Sequence, residues 1–135
     1  MRFMIIVKAT AETEAEALMG DAALMAEMSA YHQQLSQAGA LLDAHGLKPS
    51  REGWRIRHGS DAAGKPTRQV TDGPFAETKE LIAGYTLIQV RSREEAMEWA
   101  RRFPAPMGAG RPAEIEVRLL YEPHELDDFP RAAAD

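Results

Sequence analysis

The sequence predicts a single α+β domain in which two helices cover one face of an antiparallel sheet. Three observations carry that prediction. Arg2–Lys8 and Ile82–Val90 are apolar on both faces, Glu114–Tyr121 alternates apolar with charged residues, and two helical patterns (22–38 and 92–103) fall between strands. The element order is β-α-β, a hairpin, then β-α-β. A split βαβ, or ferredoxin-like, arrangement sets its first and third core strands in the middle and its last at an edge. The two strands apolar on both faces are that first and third, so burial pattern and topology agree.

In Arg2–Lys8, Phe3, Ile5 and Val7 point one way and Met4 and Ile6 the other. An acidic, alanine-rich stretch with one short helical turn leads to Gly20, and Asp21 then caps a longer helix by accepting from its free first-turn N–H groups. Leu24, Met28, Tyr31, Leu35 and Ala38 lie along one face of it, and Gly39 stops it. Ala40 to Leu42 begin a strand, and Lys48-Pro49-Ser50 turns the chain. Trp54–His58 and Thr67–Thr71 pair as a hairpin across a Gly/Ala-rich loop, and Asp72-Gly73-Pro74-Phe75 breaks the chain sharply. In Ile82–Val90, Leu87 takes one face, and Ile88 and Val90 the other. Ser92-Arg93-Glu94-Glu95 reads as a capping box, followed by Ala96, Trp99, Ala100 and Phe103 on one helix face. Residues 1–122 form the domain; 123–135 are an acidic tail whose last residues are expected to be disordered.

The chain has 135 residues, 44% of them hydrophobic and 27% charged, the balance of a folded domain with one core. With no cysteine it has no disulfide framework, no thiolate chemistry and no cysteine-ligated metal. The apolar run before Lys8 is too short for a signal peptide or a membrane span, so a cytoplasmic location is expected. A formal charge of −5 argues against general nucleic-acid binding. Two helices cover one face of a sheet that is apolar on both, so a second copy of the chain is the expected cover for the other.

At Thr71–Glu80 the sequence reads TDGPFAETKE, and with MRFMIIVKA, AGALLDAHGLKPS, ELIAGY and AEIEVRLLYE in the same order it resembles the DGPF, or YCII-related, family over residues 1–122. The resemblance implies a ferredoxin-like protomer with an extra β-hairpin, dimerising through its sheets as a dimeric α+β barrel, with a cleft in each protomer. It implies no settled reaction. It also implies neighbourhood with genes for extracytoplasmic-function sigma factors. YCII-type relatives are similar in carrying a His–Asp pair in the cleft. The nearest histidine here, His32, follows Tyr31 where DGPF relatives more often show asparagine, and His45 stands where similar sequences show an acidic residue.

Asp72 is the leading candidate catalytic group: a carboxylate at the mouth of a sharp turn can act as a base, or it can simply make the turn. His32, at the margin of the long helix's apolar stripe, is the second. Ligand-binding candidates are Tyr31, whose ring can pack inward while its hydroxyl reaches a cleft; His45, on one strand face with Asp43; and Glu77, Lys79 and Glu80, a charged rim after the turn. His124, Glu125, Asp127 and Asp128 lack the spacing of an HExxH helix and read as solvated tail, so no metal or other cofactor is implied. There is no GxSxG elbow, phosphate loop or dinucleotide fingerprint.

Lys48, Arg51, Arg55, Arg57, Lys65 and Arg68 crowd the hairpin region, while the tail from Glu122 is acidic. The sequence therefore supports two functions: a small enzyme or binding protein with a polar small molecule in a cleft near the DGPF turn, or a non-catalytic accessory or regulatory protein in a sigma-factor system. Expected partners are a second copy and that small molecule, with neither nucleic acid nor membrane.

Overall fold

The computed structural model describes residues 1–127. Six strands, β1 (Arg2–Lys8), β2 (Leu41–Gly46), β3 (Trp54–Ser60), β4 (Pro66–Asp72), β5 (Ile82–Gln89) and β6 (Ile115–Leu119), form two sheets. The helices are α1 (Ala11–Glu14), α2 (Ala22–Gln37), α3 (Arg93–Arg101) and α4 (Pro123–Leu126). The main sheet runs β2-β5-β1-β6, all antiparallel, with β3 and β4 as a separate hairpin. This is the ferredoxin-like order, with β1 and β5 central and β6 at an edge.

Phe3, Ile5 and Ile88 on one sheet face pack against Tyr31 and Leu35 of α2 and Trp99 of α3, with Phe103 just beyond α3. Met4 and Ile6 of β1 lie beside Leu87 and Tyr85 of β5 on the other face, half-buried. Asp21 accepts the Leu24 N–H at 3.0 Å to start α2. Gly39, at φ 72°, ends it: the Gly39 N–H returns to Ser36 O and the Ala40 N–H to Leu35 O. That closing turn needs a left-handed residue and sends Ala40 straight into the core beside β5.

Local details differ from expectation in two places. Glu95 reaches past Ser92 to accept the Arg91 N–H at 2.9 Å, so only the serine half of the capping box forms at α3. Thr10 and Thr13 form a reciprocal cap at α1 that no acidic residue advertises. Asp128 and the expected disorder of the terminus lie outside the described residues.

Candidate functional site

Where α2 crosses β5, the inward-facing sheet positions lose their side chains. Ala44 opposes Thr86 and Gly46 opposes Gly84, so three of these four residues carry a methyl or nothing. At Gly84 even a Cβ is excluded, since it would lie 2.8 Å from the His45 carbonyl oxygen. The missing volume is a cleft of about 300 Å³ floored by these residues and walled by Leu24, Met28, Phe103, Pro106 and Met107. The 103–107 wall is anchored by the Thr10 hydroxyl, which donates to Met107 Sδ at 3.3 Å. Among the described residues, no Asp, Glu, Lys or Arg lines this cleft.

His32 lies one turn beyond Met28 on α2 and enters the cleft half-buried. Its Nε2 sits 2.8 Å from Thr86 Oγ1, and Thr86 is only 2% exposed. Burial pushes the imidazole below the usual histidine range, and a hydrogen bond to the Met28 backbone only partly opposes this. Burial thus favours the neutral ring, and the His32–Thr86 pair is a polar centre in a mostly apolar cleft that no Asp, Glu, Lys or Arg lines.

The other sequence-predicted residues go elsewhere. Tyr31 belongs to the core: its hydroxyl donates to the Trp99 carbonyl at 2.7 Å, and burial pushes it up to about 12. Its ring meets Phe103 and Trp99 edge-on. Asp72 ends β4 opposite Trp54, exposed, and borders none of the described clefts. Glu77, Lys79 and Glu80 follow the turn and do not reach the His32 cleft. Glu80 pairs with Arg55 at 3.5 Å. His45 borders the cleft through the β2 edge, and the expected pair with Asp43 forms at 2.9 Å. Asp43 also accepts the Tyr85 hydroxyl at 3.0 Å, a bond that holds that phenol above its ordinary range.

The DGPF turn is built as a clamp. The Glu14 carboxylate accepts both the backbone N–H of Ser50 (2.9 Å) and its hydroxyl. Ser50 Oγ in turn accepts the Phe75 N–H at 3.0 Å. Gly73 passes so close that a Cβ there would lie 1.8 Å from the Ser50 carbonyl oxygen. The Arg55 guanidinium stands 3.9 Å above the Phe75 ring, tying the base of the hairpin to the turn.

Residues 1–120 match the YCII-related domain. The chain belongs to the YCII-related family. An uncharacterised protein of Rhizobium meliloti (strain 1021) is 35% identical over 106 residues, covering 78% of this chain and 82% of that protein. In this YCII-related chain the DGPF turn stands apart from the His32 cleft. Thr86 and the small residues Ala44, Gly46 and Gly84 escaped the sequence reading. The signal for them was present: residues without bulk at inward positions of otherwise bulky strands.

Proposed function

We propose that this YCII-related protein is a small-molecule-binding protein that works as a homodimer in the cytoplasm. The observation that carries the reading is the His32–Thr86 hydrogen bond, set on the floor of a mostly apolar cleft lined by no Asp, Glu, Lys or Arg. A polar pair is costly to bury and gives orientation to a ligand that apolar walls alone would hold loosely. The binding region is this cleft rather than the DGPF turn, because Asp72, Glu77, Lys79 and Glu80 do not line it. Pairing through the open sheet face is supported by the half-buried Met4, Ile6, Tyr85 and Leu87, which the helices leave uncovered.

A thermal-shift screen of uncharged metabolites tests the reading, comparing wild type with Leu24→Trp, which fills the cleft from its wall. Compounds that raise the wild-type melting temperature and not the variant's support it; compounds that raise both equally contradict it.

A second reading, an accessory protein acting through its surface, is favoured by the hairpin. Every residue of β3 and β4 is exposed, including Trp54 at 65%, Ile56 and Val70, and Ile56 lies directly opposite Val70. A lone two-stranded ribbon presenting such a stripe is a docking element in this reading. Retention of all in vivo function after shortening the ribbon contradicts it.

A further inference from the structure

We propose that the His32–Thr86 cleft takes a neutral, mostly apolar molecule bearing a hydroxyl or enol group, which it donates to Thr86. The inference rests on the reading of this cleft as a ligand site and adds the polarity and class of the ligand. The polarity follows from counting protons. His32 Nε2 faces Thr86 Oγ1 at 2.8 Å, so the ring's hydrogen bond to the Met28 backbone falls to Nδ1. Within α2 the group that Met28 turns toward residue 32 is its carbonyl, which can only accept, so that ring nitrogen carries a proton. A ring that burial keeps neutral has one N–H, which leaves Nε2 bare.

Thr86 has a single hydroxyl proton and spends it on Nε2. What Thr86 turns to the cleft are lone pairs. A ketone, ether or carboxylate oxygen there sets lone pair against lone pair. A ligand hydroxyl instead completes a chain, ligand O–H to Thr86 Oγ and Thr86 O–H to His32 Nε2, in which each bond polarises the next.

Charge and shape point the same way. With no Lys or Arg in its lining, and His45 already paired with Asp43 at 2.9 Å, the cleft offers an anion little in exchange for its hydration. Ala44, Gly46 and Gly84 leave a flat slot in front of Thr86, and Met28 and Met107 present thioethers beside Phe103. Thioethers favour aromatic neighbours, so a hydroxylated ring suits the slot.

The test is an NMR titration with three ring probes of similar size: p-cresol, 4-methylanisole and benzoate. In the wild-type protein p-cresol is expected to bind about tenfold more tightly than either of the others, shifting the amides of Met28 and Thr86. Thr86→Val is expected to bring p-cresol and 4-methylanisole within about twofold of each other, while Thr86→Ser keeps the preference. The wild-type comparison decides the matter even if a variant fails to fold. If 4-methylanisole or benzoate equals or exceeds p-cresol in wild type, the donor assignment is overturned and the ligand cleft survives. If none of the three shifts those amides, both the inference and the reading beneath it are overturned.

Discussion

Gly73→Ala asks whether the DGPF turn is a clamp for the hairpin. The added Cβ would stand 1.8 Å from the Ser50 carbonyl oxygen and 2.6 Å from the carbonyl carbon. Carbon–oxygen contacts normally stay beyond about 3.3 Å, so the two backbones must separate by roughly 1.5 Å. Ser50 cannot yield easily, because Glu14 holds its N–H and its hydroxyl together. The turn moves instead. It then loses the Phe75 N–H bond to Ser50 Oγ and the Gly73 N–H bond to Gly53 O, each 3.0 Å long. Two hydrogen bonds at about 1 kcal/mol each, with an exposed cation–π contact of about 0.5–1 kcal/mol, make a local loss of about 3 kcal/mol. Neither β3 nor β4 contributes to the hydrophobic core, so the loss stays in the hairpin. Native-state hydrogen exchange is the assay: Phe75 is expected to lose roughly a hundredfold in protection while β1 and β5 keep theirs. Asp72→Asn is expected to leave both unchanged, since the Asp72 carboxylate bonds to no described residue. Unchanged protection at Phe75, or equal loss in β5, would show that the turn does not clamp the hairpin.

Four further outcomes follow from the same structure. His32 takes its proton near pH 6.5 when unfolded and only at lower pH when folded, so between the two the unfolded chain binds more protons. Its contribution is therefore complete above the unfolded value and fades as the pH falls through this window; urea midpoints should drop there for wild type, and less steeply for His32→Asn. Ile5→Asp places an unpaired carboxylate at a position with no exposure and should cost several kcal/mol, abolishing the far-UV circular dichroism of the fold. Ile6→Asp, on the open sheet face, should leave the protomer folded but shift sedimentation equilibrium from dimer to monomer. Leu35→Ala, which empties a fully buried position, should lower the unfolding free energy by about 2–5 kcal/mol in urea titration.

The sheet order was legible because β1 and β5 carry apolar side chains on both faces, the pattern of central rather than edge strands. Asp21, Gly39 and Ser92 marked helix ends through backbone groups they alone can satisfy, and those ends lie within a residue or two of the expected ones. The cleft was harder to read for a physical reason. Titratable residues such as Asp72 and Glu77 attract attention in a sequence, yet this cleft is defined by what is missing: side-chain volume at Ala44, Gly46 and Gly84, and charge along the walls. Thr86 looked like one more β-branched residue in a strand, and only the register across from α2 gives its hydroxyl a partner. The position of Tyr31 on the stripe was compatible with a cleft as well as with the core, and the structure has the Trp99 carbonyl accept its hydroxyl.

The protonation of His32 decides the polarity of the cleft, and a long-range ¹H–¹⁵N spectrum of the imidazole reads it as the pH is varied. The predicted result is a ring protonated at Nδ1 with Nε2 bare at neutral pH, titrating below 6.5, and an Nε2 resonance that moves when p-cresol is added. A ring protonated at Nε2, or one titrating at or above 6.5, or an Nε2 resonance indifferent to p-cresol, contradicts the account.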